Sequence, residues 1–525
     1  MQPPALEHNF DLDQSLAQSL DQILKSKFNL ETFRKGQKEI IASIINKRDV
    51  LAVLPTGGGK SLCYQLPAVV LDQLVVVVSP LIALMKDQVY ALNKIGLNAG
   101  CRYSGQTLEE SKIVFKNIEN SKAFILYLSP ERVQHEGFLK WIVNRDVALF
   151  AIDEAHCVSQ WGHDFREEYS MLKVLKKIRP DVPMLALTAS ATPEVLNDIA
   201  KNLNLKNPER RVHGFYRPNL FYQVEKCVDA NDKMNLIQQA LYKIPEGRKI
   251  IYAGTRKNVQ ELAAELSKIF ENVGYYHAGL SSEKRTKMQS DYQQGAIKIL
   301  VATNAFGMGI DQPDVRLVIH YQMPASIDSL YQEMGRAGRD TLPANCLMLY
   351  SKKDKGLQSY FITEAEATPD IKKSRWRSLD ALIDYIESSE CRHAEVLTYY
   401  KDPDRIKSCG HCDNCCKNSE RLIKKLYENK KIQHFLKKKK KNHSNDDMSK
   451  EFSSVQQNKF ELLKIWRKEK ATELDLPAFV IFSDQTLKNI VLAAPRNKTD
   501  LLSIHGVGSN KIENFGDAIL KILIN

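Results

Sequence analysis

The chain is 525 residues long, 43% hydrophobic and 26% charged, the balance of a globular protein with room for about three or four separate cores. Its longest apolar run, "LVVVVSPLIALM", is broken by Ser79 and Pro80 and is too short to span a bilayer, and "MQPPALEHNFDLDQ" lacks the basic, apolar, cleavable order of a secretory signal. A soluble, cytoplasmic protein is therefore expected, while 75 Lys and Arg against 63 Asp and Glu favour a polyanionic partner.

From about residue 20 to 345, short β-branched runs alternate with amphipathic stretches. "DVLAVLP", "LVVVVSP", "AFILYLSP", "ALFAIDE" and "PMLALTAS" precede the break "KNLNLKNPERRVHGFYRPNL". "KIIYAGT", "IKILVAT" and "RLVIHY" follow it, with "KNVQELAAELSKIF" as a helix among them. Such alternation predicts parallel sheets with helical crossovers, in more units than one sheet holds. The expected order is an α/β domain over 1–205, a second over 206–345, a helical cysteine-bearing piece over 346–420, a basic linker over 421–455 and a small helical domain over 456–525. Arg421 to Lys450 carry eleven basic and three acidic residues, among them "KKKKK" at 437–441. A solvated linker and a phosphate tether both fit that run.

"VLAVLPTGGGKSLCYQLP" reads as a buried strand, a turn and a helix start. Thr56, Gly57, Gly58 and Gly59 would let backbone N–H groups wrap a polyphosphate, Lys60 would reach the β/γ-phosphates and Ser61 would ligate Mg²⁺. Leu54 stands where the general pattern has its first glycine. "ALFAIDEAH" delivers Asp153 and Glu154 to a strand's C-terminal end, where α/β ligands bind. Asp153 is expected to hold the Mg²⁺ and Glu154 to orient and deprotonate the attacking water. A carboxylate pair there often only caps a helix; with Lys60 it points to ATP hydrolysis. In "YQEMGRAGRD", 331–340, Gln332, Arg336 and Arg339 are expected to face the γ-phosphate across a cleft and stabilise transition-state charge. A basic surface turn is the plainer alternative, but a second α/β domain without its own phosphate loop needs a reason to be there.

Five of the ten cysteines fall between Cys391 and Cys416. The steps Cys409–Cys412–Cys415 bring three thiolates to one turn, and Cys391 can close a tetrahedron around structural Zn²⁺. Cys416 and His411 are spare ligands, Cys416 ranking below Cys415; a redox pair and an iron–sulfur cluster are the other chemistries open to such a group. The final segment carries "IHGVG", where Gly506 and Gly508 suit either a helix connection or a close approach to phosphate.

In order along the chain, "FRKGQ", "PTGGGKSLCYQLP", "SPLIALMKDQ", "DEAHCVSQWGHDFR", "LTASAT", "YHAGL", "ATNAFGMGIDQPDVR" and "YQEMGRAGRD" resemble a RecQ-family DNA helicase of superfamily 2. The resemblance implies an α/β fold of two tandem RecA-like parallel-sheet domains, a helical zinc-binding module and a small all-α C-terminal domain similar to HRDC. It implies ATP, Mg²⁺ and Zn²⁺ as cofactors and 3′→5′ unwinding of DNA in recombination and repair. Single-stranded DNA and tailed or forked duplexes are the implied partners. Single-strand-binding or repair proteins are candidate partners and a monomer is the expected state, neither being fixed by the sequence. Gln37 should read the adenine edge with Arg34 packed near that base, and Asp311 should belong to the nucleotide-coupling motif. "SQWGHDFR" matches the family's aromatic-rich loop, so Trp161 and Phe165 should stack on unpaired bases, flanked by His156, His163 and Arg166. A buried aromatic cluster is the alternative for that loop; an RNA helicase, and a DNA-stimulated ATPase that mainly anneals or binds strands, are the alternatives for the whole. Two departures stand out: Ser190 where the family usually has Thr, and too few residues between Cys416 and about Lys459 for the usual winged-helix domain.

Overall fold

The computed structural model describes residues 14–55, 57–161, 165–307, 312–425 and 453–524, the last apart from 474–480, 483, 503, 505–506 and 508. Residues 1–354 with 381–424 form one compact unit, and 355–380 with 425–525 another. None of the described helices is long and apolar enough to cross a membrane.

The first unit contains two parallel sheets. Strands β1 (Val50–Val53), β2 (Leu74–Val78), β3 (Ala99–Arg102), β4 (Phe124–Leu128), β5 (Val147–Ile152), β6 (Met184–Thr188) and β7 (Glu209–Val212) run in the order β3-β4-β2-β5-β6-β1-β7. Every residue of β1, β2, β4, β5 and β6 is buried, which is why the sequence shows them as unbroken apolar runs: helices cover both faces of the sheet. β7 lies inside the stretch expected to be the break. It pairs with β1 from Val50↔Glu209 to Val53↔Val212, so the first domain runs to Val212 instead of 205. An edge strand needs no continuous apolar run, and "ERRV" satisfies itself with polar contacts: Glu209 accepts from Ser43 Oγ at 2.6 Å and from Arg211 at 2.9 Å.

Strands β8 (Leu220–Lys226), β9 (Arg248–Tyr252), β10 (Val273–Tyr276), β11 (Ile299–Ala302), β12 (Val315–His320) and β13 (Ala344–Tyr350) form the second sheet, in the order β10-β11-β9-β12-β13-β8. β13 carries this domain past the expected limit at 345. The cysteine-bearing segment closes the open edge of β8, a position that would otherwise invite pairing with another chain. Cys412 bridges Tyr222, Asp413 N donates to Tyr222 O at 3.0 Å, and Val224 N donates to Asp413 Oδ2 at 2.8 Å. His393 stacks on Tyr222 with centroids 4.1 Å apart. The expected linker also starts later than 421. Arg421 donates to Asn345 Oδ1 at 3.1 Å, and the buried Ile423 exchanges two hydrogen bonds with Gln223 at 2.7 and 2.9 Å.

In the second unit the helices Ser454–Glu473, Asp484–Ala493, Lys498–Leu502 and Ser509–Ile524 enclose a core that includes Leu463, Phe482, Leu487, Ile490, Leu501 and Ile519. This agrees with the all-α domain expected over 456–525.

Candidate active site

β6 lies between β1 and β5, so the loop after β1 and the carboxylates after β5 emerge on one edge of the first sheet, with Thr188 between them. Gly57 and Gly59 adopt φ of +78° and +74°, a region that strains any side chain. Space also excludes one. A Cβ on Gly59 would stand 2.4 Å from Gln37 Nε2, and one on Gly57 would stand 3.3 Å from Arg339 Cγ. Ser61 then begins the helix Leu62–Leu71, whose first N–H groups add a positive field at the loop.

Gln37 is buried and fully engaged. Its Nε2 donates to Gly58 O at 3.2 Å and Gly59 O at 2.9 Å, and its Oε1 accepts from Arg34 N at 2.7 Å. Expected at the adenine edge, it lines the cleft and in this structure braces the phosphate loop.

Asp153 is buried at the end of β5, and Glu154 follows with φ +47° and ψ +47°, a left-handed conformation of the kind that clusters where a functional group must be aimed. Burial, reinforced by the Glu154 carboxylate and opposed by Lys60, pushes the Asp153 carboxyl up to about 7. Glu154 Oε2 is buried without a hydrogen bond, 3.4 Å from His156 Nδ1. That nitrogen in turn lies 3.0 Å from Thr188 Oγ1. Asp153 Oδ1 accepts from Glu154 N at 3.0 Å. Two adjacent carboxylates lining one cleft with a helix-starting serine are a donor set that fits a divalent cation, which Asp153 and Ser61 would hold.

The opposite wall comes from the second domain. Ser326 caps the helix Ile327–Met334 by accepting from Ser329 N at 3.1 Å, and the turn after the helix carries both arginines. Gln332 Nε2 donates across the interface to Ser190 Oγ at 3.2 Å, so the residue that departs from the usual motif makes a contact between the two lobes. Arg336 donates to Gly307 O, and Arg339 passes over Gly57. Glu333 holds a buried bond to His320 at 2.8 Å. Gln332, Glu333, Arg336 and Arg339 and, from the first lobe, Arg34, Gln37, Lys60, Ser61, Asp153, Glu154 and His156 line a cleft of about 760 Å³, the size of a nucleotide site.

The sulfurs of Cys391, Cys409, Cys412 and Cys415 all lie within 4.8 Å of one another. Tetrahedral Zn–S bonds of about 2.3 Å place sulfurs roughly 3.8 Å apart, and Cys409 and Cys415 stand at 3.9 Å. Backbone N–H groups already point at the sulfurs: Cys409 N to Cys391 Sγ at 3.2 Å and His411 N to Cys409 Sγ at 3.3 Å, as thiolates require. The donor set fits zinc. Cys416 is outside this group; His411 belongs, with His393 and Cys409, to an overlapping one.

Four family profiles match in order along the chain: DEAD/DEAH box helicase at 34–199, helicase conserved C-terminal domain at 232–341, RecQ zinc-binding at 352–416 and HRDC domain at 456–523. The chain is 32% identical to the ATP-dependent DNA helicase RecQ of Haemophilus influenzae, covering 95% of each chain. The chain belongs to the RecQ helicase family. A second RecQ, from Bacillus subtilis, is 34% identical over 96% of this chain and 98% of its own. The two alignments run over 593 and 587 positions, more than the 525 residues here, so both RecQ relatives carry residues without a counterpart in this chain. That agrees with the shortfall between the zinc-binding and HRDC matches. Among solved structures, the DUF1998 helicase MrfA bound to DNA and AMPPNP shares the fold, with a TM-score of 0.53 at 18% identity over 73% of this chain and 60% of that one.

Within this RecQ chain the stretch after Asp153 divides in two. His156, grouped by sequence with the DNA-contacting residues, is 4% exposed and lines the nucleotide cleft; a ring so enclosed offers no face to a base. Trp161 and Phe165 are 46% and 38% exposed, which rules out the buried cluster for both. Arg166 N closes the loop onto Cys157 O at 3.0 Å. Thr56, His163 and Asp311 lie outside the described residues, as do Lys437–Lys441, Gly506 and Gly508.

Other contacts around the site had no signal in the sequence. Asp328, on the helix that carries Gln332, accepts from the hydroxyls of Tyr399 at 2.8 Å and Tyr400 at 3.0 Å, and Tyr400 stacks on Phe215 at 4.0 Å. Lys35, next to Arg34, pairs with Asp404 at 2.5 Å, and Lys401 pairs with Glu194 at 3.7 Å. The zinc module thus touches both lobes, through buried aromatics on one and exposed ion pairs on the other. Partners so far apart in the chain leave no local pattern to read.

Proposed function

We propose that the protein is an ATP- and Mg²⁺-dependent DNA helicase that moves 3′→5′ along one strand and acts in recombination and repair. The observation that supports it most is the cleft: one lobe supplies the phosphate loop and carboxylates, the other Gln332, Arg336 and Arg339, so that a bound nucleotide is enclosed only when both lobes meet.

In this reading Lys60 and the loop N–H groups hold the β/γ-phosphates, and Glu154 takes the proton from the attacking water. His156, 3.4 Å from Glu154 and bonded to Thr188, keeps that carboxylate aimed. Arg336 and Arg339 neutralise charge on the transferred phosphoryl group, a contribution on the order of 10³–10⁵ in turnover where such arginines have been removed. When bound, magnesium draws charge from the phosphate oxygens and orients the leaving group. The exposed Trp161 and Phe165 lie on the loop that begins at the hydrolytic carboxylates, so an unpaired strand stacked there acts on the geometry of Glu154 and His156. The zinc module, fastened to β8 and to the helix bearing Gln332, moves with the second lobe.

A strand-displacement assay on 3′-tailed and 5′-tailed duplexes tests the proposal. Displacement of the 3′-tailed substrate alone, dependent on ATP and Mg²⁺, is expected. ATP turnover without displacement on either substrate would leave an annealing or DNA-binding ATPase as the function.

A further inference from the structure

The sequence marks "KNLNLKNPERRVHGFYRPNL" only as a break between the two α/β domains, yet its closing stretch, 213–220, touches both the phosphate loop and the turn that carries Arg336 and Arg339. At the first-lobe end His213 N donates to Val53 O at 3.1 Å. Gly214 adopts φ +85°, and a Cβ on it would stand 3.0 Å from Pro55 Cδ, where the phosphate loop begins. Further along, the half-buried Arg217 spreads its guanidinium over the turn after the helix Ile327–Met334. Its Nη1 donates to Gly335 O at 3.3 Å, and its Nη2 to Ala337 O at 3.0 Å and Gly338 O at 3.1 Å. Asn219 Nδ2 adds bonds to Gly338 O at 2.8 Å and Leu342 O at 2.9 Å.

A basic side chain at a helix end commonly satisfies the last carbonyls of that helix. Here the turn does so itself: Gly335 N, Arg336 N and Ala337 N donate to Tyr331, Glu333 and Met334 O at 2.8, 3.3 and 3.0 Å. Arg217 takes carbonyls beyond them. Gly335 O and Gly338 O belong to the peptide units that lead into Arg336 and Arg339, so these bonds fix the backbone from which each arginine projects. A planar fork can hold carbonyls on both sides of Arg336 at once, which the point charge of a lysine cannot. Gly338 has φ +54°, and a Cβ there would stand 2.4 Å from Asn219 Nδ2, so the turn lies against the connector too closely for a side chain.

We propose that Arg217 and Asn219 are positioning residues for ATP hydrolysis: they hold the turn 335–340 so that Arg336 and Arg339 stand at a fixed reach from the phosphate loop, against which Gly214 seats the same connector. The inference rests on the reading of Arg336 and Arg339 as the groups that stabilise charge on the transferred phosphoryl. Such groups act as charge develops, and a misplacement of about 1 Å costs on the order of 10²-fold in rate. Ground-state binding, by contrast, falls to Lys60 and the loop N–H groups of the first lobe.

The test uses the full-length chain with Mg²⁺ and compares AMPPNP, a ground-state nucleotide, with ADP and aluminium fluoride, a mimic of the phosphoryl group in transfer. Arg217→Lys keeps the charge and loses the fork. It is expected to bind AMPPNP within about twofold of wild type, while affinity for the mimic falls about ten- to a hundredfold and kcat falls in parallel. Asn219→Ala removes two donors from the same turn; it is expected to act in the same direction and carries the test if Arg217→Lys does not fold. The ratio of the two affinities is the readout, because a packing role weakens both ligands alike. Equal weakening, or an unchanged ratio in every variant that folds, overturns the proposal. In a chain already carrying Arg336→Ala and Arg339→Ala, the preference for the mimic should be lost and Arg217→Lys should alter the ratio no further; a further change there also overturns it. If that double variant keeps the wild-type preference, the reading of the two arginines fails, and the proposal with it.

Discussion

Gly57 offers a direct test of how the second lobe completes the site. Two terms act on Gly57→Ala. The φ of +78° costs an L-residue about 1–2 kcal/mol, which the loop bears whatever faces it. The new methyl would also stand 3.3 Å from Arg339 Cγ, closer than ordinary packing allows, so the arginine must withdraw by a few tenths of an ångström. The strain term predicts roughly a tenfold loss in nucleotide affinity. Displacement of a charge-stabilising arginine predicts a further fall in turnover of up to about 10³-fold. Arg339→Ala isolates the second term, since it leaves the loop intact. In the double variant the steric part has nothing left to act on, so the two losses in ATP turnover should be non-additive by about 1–3 kcal/mol, while the loss in nucleotide affinity persists. Steady-state ATPase rates and nucleotide binding for the four proteins of the cycle measure both quantities. Strictly additive losses in turnover would refute the claim that Arg339 acts at the loop.

Trp161→Ala, at an exposed position, is expected to keep nucleotide binding and basal ATPase but lose stimulation by single-stranded DNA, with strand affinity falling by about 1–3 kcal/mol; undiminished stimulation would remove Trp161 from the DNA path. Cys415→Ser should release zinc and Cys416→Ser should retain it, as read by metal analysis of the purified variants; the reverse pattern would exchange the ligands. Because Cys412 and Asp413 pair with β8, zinc removal by a chelator should also lower the melting temperature of the helicase lobes. Replacing Lys437–Lys441 with Gln should flatten the salt dependence of single-strand binding, the log–log slope falling by roughly 0.7 for each phosphate that these lysines neutralise. An unchanged slope would make that run a plain linker.

Much of the architecture was legible because parallel strands buried on both faces appear as unbroken apolar runs, as in "LVVVV" and "ALFAI". The phosphate loop was legible for a related reason: glycines, Lys60 and Ser61 do local work within one turn. Edge strands were not, since β7 is polar and is held by its pairing with β1 and by Ser43, far away in the chain. His156 and Trp161 show the same limit within six residues. Both are costly side chains next to the same carboxylates, and only the packing of β6 against β5 turns one inward to Thr188 and leaves the other in solvent.

By itself, then, the order of residues determined which chemistry this chain carries: phosphate binding, acid–base hydrolysis, thiolate ligation. Those depend on side chains within a few positions of one another, where backbone geometry leaves little freedom. The tertiary structure alone decided what those groups do to each other. It set Gln37 against the phosphate loop, Gln332 against Ser190, Arg339 over Gly57 and the zinc module against both lobes. Such pairs are made by sheet order and lobe contact, and neither is encoded at short range.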